Sequence, residues 1–483
     1  MYRENSRASR PSRRRILTGA VGAGAALSLS PLAGLAAAGE GPEANILLAV
    51  CDALRADRLG CYGYRRRLPD GTVGSPTPFI DRLAAGGVVF ENCIAQSSWT
   101  QTSMASMLYS AWPVIKGDFH GFAYFPRDSH ALEEATPGLK RFGIQANPYL
   151  KSPCFRDRFE VYKFVKDKEY APAALLNDTF DWHVTPPVRR GEKFLCYIHY
   201  MEPHEPYIYE HDFRGAFTPE GWRYVHPSGV NDMLLSSNDR NGRVRRPPPD
   251  RLALQLEGTS RAYDEDVMSL DRELEDLFNW LDELGVREET IVIFTSDHGQ
   301  AFGEHGWCGH KVTLYQEEIH IPLIIAGPGI PAGERVTAQV RGVDVVPTLA
   351  ALAGRSVSGL VGRPLLPASR VEAAGNRPAY SCCDFARYGE AERLLTCLLT
   401  PEREKYIRVA QKDHTLLREE LYDLAADPHE RKDLAGDSPE RLKELSRRMD
   451  ALEAANYWRH DAAKSEQVDE ETEKQLRSLG YLQ

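Results

Sequence analysis

The sequence predicts an α/β fold in which helices sandwich a large, mixed, mainly parallel β-sheet, with a smaller C-terminal antiparallel α+β subdomain. Three short apolar runs have the composition of strands buried on both faces of a parallel sheet: 45–50, 194–198 and 290–295. Near residue 362 the pattern changes to short strand-like runs beside a charged helix. We therefore predict a large domain at 45–361 and a C-terminal subdomain with its tail at 362–483.

The first 38 residues are predicted to be an export signal that lies outside the fold. Basic residues that include Arg13 and Arg14 precede a weakly apolar, Gly- and Ala-rich run, which Pro31 interrupts and which ends on small residues at Ala38. This pattern is typical of a twin-arginine signal peptide. We expect export by the twin-arginine machinery, cleavage near Ala38, no stable membrane span after processing, and a periplasmic or extracellular protein. The alternative is an apolar tail without a targeting role.

The other predicted elements follow from the same patterns. An amphipathic stretch at 267–284 predicts a helix, an apolar run at 321–325 predicts a strand, and 344–352 predicts another helix. The polar stretch 227–258 is too irregular for the core and is either an active-site flap or a surface insertion. The C-terminal subdomain is predicted to contain three strands and one charged helix: 380–385, 394–399, 405–409 and 439–454.

Composition restricts the class of partner. The 483-residue chain carries a formal net charge of −10, which argues against a nucleic-acid partner. The cysteine count of nine is odd, and Cys51 and Cys196 lie in apolar strand-like runs. These two cysteines are predicted to be small core residues, and the sequence gives little support for a disulfide framework.

Polar side chains that can bind metals follow three of the predicted strands. Asp52 ends the first strand, His199 and then His204 follow the second, and Asp297 and His298 follow the third. In an open α/β sheet, ligands bind outside the carboxyl ends of the strands. These side chains could therefore converge on one crevice.

Five motifs in a fixed order carry a family resemblance. They are DALRADRLGCYG from Asp52, TPFIDRL from Thr77, TSDHG from Thr295, GEHG from Gly303 and LYDL from Leu421. Together they resemble a sulfatase of the alkaline phosphatase superfamily, from Asn45 to the closing LRSLGY. The resemblance implies an alkaline phosphatase-like fold, a metal site and hydrolysis of a small-molecule or saccharide sulfate or phosphate ester.

The nucleophile position departs from the sulfatase pattern. Sulfatases carry Cys-x-Pro-x-Arg there, with the first residue oxidised to formylglycine, and the matching positions are Thr100, Thr102 and Met104. Threonine cannot form formylglycine, so none is expected, and Cys93 lies too early and is predicted to be a packing residue. Threonine is the nucleophile in other members of the superfamily, and a metal can activate its hydroxyl. We predict that Thr100 is the nucleophile; the alternative is that it only caps a helix.

The resemblance places one divalent metal ion on Asp52, Asp297 and His298. Ala53 replaces the second aspartate that the family often carries in the first motif. Calcium is expected by family, with manganese and zinc as the alternatives. Asp52 could instead cap the following helix. A second metal is not expected, because no histidine in the chain has Asp or Glu four residues before it.

Five further residues match positions near the substrate in relatives. His204 and His310 are predicted to be catalytic, with one of them protonating the leaving oxygen. Lys311, Asn147 and Arg55 are predicted to bind substrate, and Arg55 could also orient the metal-binding carboxylates. Asn147 lies in the segment where arylsulfatases carry a lysine and a histidine, and it supplies no cation.

The predicted activity is hydrolysis of singly charged sulfate esters through a threonyl intermediate. The alternatives are a phosphodiesterase or phosphonate monoester hydrolase, a phosphoryl-group transferase, and a non-catalytic binding homologue. The missing lysine and histidine favour a substrate of modest charge, because uncompensated charge in a water-poor cleft is costly.

Overall fold

A computed structural model describes most of the chain after the predicted export signal. The described residues are 44–113, 130–166, 171–207, 211–227, 230, 249–388, 391–411 and 414–457. Among them, no helix has both the length and the apolar character that a membrane crossing requires. The predicted signal peptide at 1–38 lies outside the described residues, as does most of the 227–258 stretch.

The strands include all those predicted from the apolar runs. In chain order they are β1 (Asn45–Cys51), β2 (Arg66–Arg67), β3 (Val73–Gly74), β4 (Gly87–Phe90), β5 (Cys93–Ile94), β6 (Lys140–Gln145), β7 (Val161–Phe164), β8 (Phe194–Tyr200), β9 (Thr290–Ser296), β10 (Ala301–Phe302), β11 (Cys308–Gly309), β12 (His320–Ile321), β13 (Leu323–Ala326), β14 (Glu334–Val336), β15 (Val340–Arg341), β16 (Ala379–Tyr388), β17 (Ala391–Leu399), β18 (Glu404–Gln411) and β19 (Leu416–Asp423).

The α-helices connect these strands and cover the sheet. They are α1 (Pro78–Ala85), α2 (Thr100–Tyr109), α3 (Ala131–Ala135), α4 (Pro153–Arg156), α5 (Ala173–Val188), α6 (Pro249–Glu283), α7 (Gln316–Ile319), α8 (Val345–Leu352), α9 (Ala368–Ala374) and α10 (Pro439–Tyr457).

An eight-stranded sheet forms the centre of the molecule, in the order β14-β4-β13-β9-β1-β8-β6-β7. Only β13 runs against its neighbours β4 and β9, and all other pairs in this sheet are parallel. The prediction of a mixed, mainly parallel sheet is confirmed.

The side chains of β1 alternate between two hydrophobic cores, because successive residues of a strand point to opposite faces. Ile46, Leu48 and Val50 pack in one core with α2, α3 and α8. Leu47 and Ala49 pack in the other core with α1, α5 and α6. The helices therefore form two layers, one on each face of the sheet, and β1 is buried on both faces as its uninterrupted apolar run predicted.

A four-stranded antiparallel sheet, β16-β17-β18-β19, forms the C-terminal part of the described chain. The sequence predicted the first three strands and the helix α10, but not β19. One face of this sheet joins the core around α8, and the other carries a small cluster in which Tyr380 and Tyr406 pack with Leu445 and Met449 of α10. The predicted division at residue 362 stays a prediction.

Helix α6 is much longer than its amphipathic stretch indicated. It begins at Pro249, so the expectation of irregular structure up to Gly258 is wrong for 249–258. Proline suits the first turn of a helix, where its missing N–H is not needed. Gly258 allows the Trp222 ring to approach the helix, since a Cβ there would lie 1.9 Å from Trp222 Cδ1. The turn-like composition of this region thus reflects tertiary packing.

Candidate active site

The register of the central strands brings the predicted metal ligands together. Cys51 at the end of β1 lies level with Ser296 at the end of β9, so Asp52 and Asp297 leave the sheet side by side. On the other flank of β1, His199 of β8 lies level with Val50. All of these side chains are buried. The predicted crevice at the carboxyl ends of the strands is therefore present.

Two carboxylate oxygens in this crevice have the properties of metal ligands. Asp52 Oδ1 and Asp297 Oδ2 are buried and accept no hydrogen bond from any residue that the structure describes. Nε2 of His298 lies 3.6 Å from Asp52 Oδ1 and 3.5 Å from Asp297 Oδ2. Two unsatisfied buried oxygens beside an imidazole nitrogen are costly unless a cation binds them. These three side chains therefore fit a divalent metal ion.

Electrostatics make the same point for the two carboxylates. Burial and the negative charge of Asp52 raise the pKa of Asp297. Burial also opposes ionisation of Asp52, but the charges of nearby histidines, His204 first among them, outweigh it and lower the pKa of Asp52. One carboxylate is thus held ionised while its neighbour resists ionisation, and a divalent cation would relieve that repulsion.

The remaining atoms of the ligand side chains are held in place by the fold. Asp297 Oδ1 accepts backbone N–H bonds from Ala53 at 3.0 Å and from His298 at 2.8 Å, which leaves Oδ2 to face the crevice. His298 Nδ1 lies 2.9 Å from the Gly299 carbonyl oxygen and donates to it. This bond leaves Nε2 as the ring nitrogen that can bind a metal.

Thr100 is the first residue of α2, and its hydroxyl faces the metal-ligand group. Oγ1 of Thr100 lies 3.1 Å from Nε2 of His298 and 3.5 Å from Oδ2 of Asp52. The N-cap residue of α2 is Trp99, and the cap makes no side-chain hydrogen bond. Thr100 is therefore not the N-cap of α2, because it lies inside the helix. Asp52 is not the N-cap of the short helix that follows it, because that N-cap is Arg55. The position also favours developing negative charge, since the N-terminus of α2 carries the positive end of its dipole.

Cys93 lies in β5, where it pairs with Ile321 and Val340 and is fully buried in the hydrophobic core. Burial raises the pKa of its thiol well above the ordinary value. Its environment is that of a packing residue.

The sequence analysis named His199 among the metal-binding side chains at the strand ends but gave it no role in the site. Its Nε2 lies 3.1 Å from Asp52 Oδ2 and 4.0 Å from Asp297 Oδ2, and its Nδ1 lies 2.8 Å from the Tyr197 hydroxyl. Asp52, His199 and Asp297 together form a group that could hold a metal ion. The available signal was its place at the end of an apolar strand, in the same sequence context that marked Asp52.

The Asn147 side chain contacts the predicted metal ligand Asp52 and also lies near Thr100. Its Nδ2 donates to Asp52 Oδ2 at 2.7 Å and lies 3.5 Å from Thr100 Oγ1. Its Oδ1 accepts the Tyr149 backbone N–H at 3.0 Å, which fixes the orientation of the amide. Asn147 therefore orients Asp52, in addition to its predicted place beside the substrate.

His204 and His310 lie against each other beside the metal-ligand group. Their ring centroids are 4.7 Å apart, and the His310 ring stacks on His298 at 4.6 Å. Glu205 joins them, with Oε1 at 3.5 Å from His310 Nδ1. Gln300 links the group by donating to Glu205 at 2.6 Å and accepting from His310 Nδ1 at 2.9 Å. Neither Glu205 nor Gln300 was identified from sequence.

The environments of the two histidines separate their pKa values. Burial lowers the pKa of His310 to about 4, so its ring is neutral. Burial also disfavours the charged form of His204, but the charges of Glu205 and Asp52 outweigh it and raise the pKa of His204. His204, Glu205 and His310 could also hold a metal ion by their spacing. Unlike the first group, none of their side-chain atoms is a buried orphan among the described residues, so this group is stable by its own hydrogen bonds and charges.

Lys311 extends toward the start of α2. Its Nζ lies 4.4 Å from the Trp99 ring centroid and 5.7 Å from the Tyr149 ring centroid, and its backbone N–H donates to the Ser98 carbonyl at 3.0 Å. The structure thus brings this predicted cation next to the residues that flank Thr100 and Asn147.

Arg55 is buried, but its guanidinium is engaged elsewhere. It forms two bonds to Asp57, at 2.8 and 2.7 Å, and one to Glu304 at 2.6 Å. A further bond at 2.9 Å reaches the carbonyl oxygen of Gln300. These contacts tie the segment after Asp52 to the segment after His298, so Arg55 positions the backbone around the site.

Buried carboxylates, imidazoles and a helix-terminal hydroxyl meet at one edge of the central sheet, as the sulfatase resemblance leads one to expect. Residues 44–355, well over half of the chain, match the family model described as Sulfatase. The chain belongs to the sulfatase family. Residues 303–455 also match the model described as N-sulphoglucosamine sulphohydrolase, C-terminal.

Individual relatives are similar over parts of the chain. Arylsulfatase K of Xenopus laevis is 31% identical over 187 residues, covering 37% of this chain and 34% of that protein. Iduronate 2-sulfatase of Mus musculus is 27% identical over 394 residues, covering 65% of this chain and 69% of that protein. The match to arylsulfatase K thus spans about a third of that relative's length.

Solved structures confirm the predicted alkaline phosphatase-like fold. The phosphonate monoester hydrolase of Agrobacterium radiobacter superimposes with a TM-score of 0.63 at 18% identity, covering 86% of this chain and 96% of that chain. A protein solved with its substrate D-glucosamine-2-N,6-O-disulfate has a TM-score of 0.63 at 19% identity, covering 88% of this chain and all of that chain.

Proposed function

We propose that this protein is a metal-dependent hydrolase of singly charged sulfate esters, with the Thr100 hydroxyl as nucleophile. The observation that carries the proposal is the position of Thr100 Oγ1, 3.1 Å from His298 Nε2 and 3.5 Å from Asp52 Oδ2, at the N-terminus of a buried helix. A hydroxyl group needs activation before it can attack an ester. This position places it beside groups that supply activation.

A divalent cation held by Asp52, Asp297 and His298 would lower the pKa of the neighbouring hydroxyl and neutralise charge on the ester. The ligand set contains an imidazole nitrogen, which suits manganese or zinc better than calcium, an ion that prefers oxygen ligands throughout. Asn147 and His199 orient Asp52 through their contacts with its Oδ2. We therefore propose manganese or zinc, although the family resemblance by itself favours calcium.

The chain's own side chains account for the proton transfers. Oδ2 of Asp52 is the carboxylate oxygen nearest to the Thr100 hydroxyl and can accept its proton during attack on sulfur. As the Thr100 oxygen bonds to sulfur, the bond to the leaving oxygen breaks, and protonated His204 gives that oxygen a proton. Neutral His310 can then take a proton from the water whose oxygen bonds to sulfur. The bond between sulfur and Thr100 Oγ1 breaks in that step, and Asp52 returns its proton to the Thr100 oxygen.

The charges around Thr100 support a substrate with one negative charge on the reacting group. Lys311 and His204 are the cationic side chains predicted to face it, and Asn147 directs its amide to Asp52. A doubly charged phosphate monoester would leave more charge uncompensated. Phosphate diesters and phosphonate monoesters also carry a single charge, so they remain the second candidate.

Sequence similarity to iduronate 2-sulfatase, together with similarity of the fold to a protein solved with a disulfated glucosamine, supports a sulfated saccharide as the natural substrate class. The deciding experiment is a steady-state comparison of aryl sulfate, bis-aryl phosphate, aryl phosphonate monoester and aryl phosphate, all with one leaving group. We expect the highest kcat/KM for the aryl sulfate and the lowest for the doubly charged aryl phosphate.

Four results would exclude the proposal in different ways. Highest efficiency for the phosphate monoester would refute the charge argument, and highest efficiency for the phosphate diester would reassign the enzyme to the second candidate. Release of product only when a second alcohol is present would indicate a transferase. Binding of aryl sulfate to metal-loaded protein without turnover would indicate a non-catalytic homologue.

A further inference from the structure

We propose that Glu318 is a positioning residue that fixes Lys311 over the start of α2. This inference rests on the proposed function, in which Lys311 contacts the anionic group of the substrate. Glu318 lies in the short helix α7 and is fully buried. It is outside the group of side chains that face Thr100, and no motif singled it out.

The carboxylate of Glu318 holds the residues that follow Lys311. It accepts the backbone N–H groups of Val312 at 3.3 Å and Thr313 at 3.0 Å, and it also accepts the Thr313 hydroxyl. Three donors from one short segment converge on a single buried side chain. Because buried N–H groups must find acceptors, this contact restrains the backbone at 312–313.

The backbone of α7 holds the metal-ligand segment at the same time. The carbonyl oxygen of Glu318 accepts the Gly299 N–H at 2.8 Å, and that of Glu317 accepts the Gln300 N–H at 2.8 Å. The approach is so close that a Cβ at Gly299 would lie 2.1 Å from the Glu317 oxygen. Glu318 therefore touches both the segment after His298 and the segment after Lys311.

Lys311 needs such restraint because its backbone is strained. Its φ is +65°, in the left-handed region that is unfavourable for a residue with a side chain. Two contacts hold this conformation: the Lys311 N–H bonds to Ser98, and Glu318 fixes the next two residues. In this conformation Nζ of Lys311 lies over the Trp99 ring, directly before the nucleophile.

The test uses Glu318→Met, which keeps the side-chain volume and removes both acceptor oxygens. We expect KM for the aryl sulfate to rise about tenfold with a smaller change in kcat. In a Lys311→Ala background the same substitution should raise KM by less than about twofold, because Glu318 affects substrate binding only through the position of Lys311. Glu318→Gln keeps one acceptor oxygen and should restore most of the loss, since burial raises the pKa of Glu318 to about 8 and a neutral side chain is tolerated there.

A spectroscopic measurement separates this inference from the proposed function. The Trp99 contribution is obtained as the difference in emission between each protein and its Trp99→Phe counterpart, because the chain has seven tryptophans. Loss of the ammonium group in Lys311→Ala should change this difference spectrum, and Glu318→Met should change it in the same direction. The readout requires no turnover, so it decides the role of Glu318 even if every ester tested proves inert.

Glu317→Gln is the matched control, because the neighbouring Glu317 side chain contacts His305 at 2.6 Å and not the 311–313 segment. Its Trp99 difference spectrum should equal that of the unaltered protein. Thr313→Val removes only the hydroxyl donor and should reproduce the effect of Glu318→Met at smaller size, which keeps the test valid if Glu318→Met folds poorly. The inference would be overturned if the Trp99 difference spectrum were unchanged in both Glu318→Met and Thr313→Val. It would also be overturned if the effects of Glu318→Met and Lys311→Ala on KM were fully additive.

Discussion

The hydroxyl oxygen of Thr100 lies 3.1 Å from Nε2 of His298, although 198 positions separate the two residues in the chain. The contact exists because β9 ends beside β1 and because α2 begins above that edge of the sheet. It joins the predicted nucleophile to the predicted metal ligands. The following predictions test this arrangement and the interactions that support it.

The identity of the nucleophile can be tested by substituting Thr100 and Cys93 separately. Thr100→Ala should lower kcat at least about a thousandfold, because it removes the hydroxyl that lies against His298, whereas Thr100→Ser should retain part of the activity. Cys93→Ala should keep nearly full activity, because that thiol is buried in β5. Peptide mass spectrometry should find unmodified Thr100 and Cys93. An aldehyde at Cys93, or full activity in Thr100→Ala, would contradict the assignment.

The effect of Asp297→Asn on stability should have opposite signs in the metal-free and the metal-bound protein. Asp297→Asn should stabilise the metal-free protein by about 1 kcal/mol, because burial and Asp52 disfavour the Asp297 charge, and should remove the stabilisation that metal provides. Thermal unfolding after chelation, and after addition of manganese, zinc or calcium, measures both effects. Asp57→Asn is the control, since Asp57 contacts Arg55 outside the ligand group. Equal metal affinity in Asp297→Asn and the unaltered protein would refute the site.

Asn147 should affect metal affinity without being a ligand. Asn147→Ala removes the bond to Asp52 Oδ2, and we expect metal affinity to fall about 10–100-fold, as for other residues that orient a metal ligand. Isothermal titration with manganese gives the affinity directly. Asn92→Ala is a matched control, because the Asn92 amide contacts Thr337 and Arg403. A loss confined to KM, with metal affinity unchanged, would instead assign Asn147 to the substrate alone.

His305 should make stability depend on alkaline pH. Burial opposes its charge, but the hydrogen bond and charge of Glu317 outweigh it, with help from Glu430, and raise the pKa of His305 to about 9. The protonated ring donates to Glu317 and to the Glu430 carbonyl, so it links α7 to the segment after β19. Because the folded pKa exceeds the unfolded value of about 6.5, this stabilisation is complete below pH 6.5 and is lost as pH rises through 9.

Denaturant unfolding across this pH range measures the His305 effect. We expect the unaltered protein to lose about 1 kcal/mol from this group, after allowance for solvent screening. His305→Gln should flatten that part of the profile, because glutamine does not titrate. A profile in His305→Gln that matches the unaltered protein would exclude His305 as the titrating group.

Export should depend on the paired arginines. Replacement of Arg13 and Arg14 by lysine should stop translocation of the full-length protein, since the twin-arginine route requires that pair. Cell fractionation and N-terminal sequencing give the outcome, with a mature terminus expected near Gly39. Arg7→Lys, in the same basic region, should be processed normally. Normal processing of the double variant would rule out this route.

The sequence predicted the central strands because their residues are buried on both faces, which requires continuous apolar runs. It also predicted Asp52, Asp297 and His298, because strand ends in a parallel sheet meet at one edge. It gave no role to His199, and it did not identify Glu205 or Gln300. His199 shares the strand-end context of Asp52, but nothing in the local sequence distinguishes Glu205 and Gln300 from ordinary polar residues, and the hydrogen bond that joins them spans 95 positions. Their roles depend on distances that only packing sets.

The sequence by itself determined the fold class and the family, and it supplied the residue types that we propose for the nucleophile and the metal site. These properties depend on residue identity and periodicity, which a chain carries locally. Only the tertiary structure decided that Asn147 faces Asp52, that Arg55 is engaged by Asp57 and Glu304, and that α6 begins at Pro249. A side chain takes the direction in which its polar atoms find partners, and those partners come together only when the sheet and its helices pack.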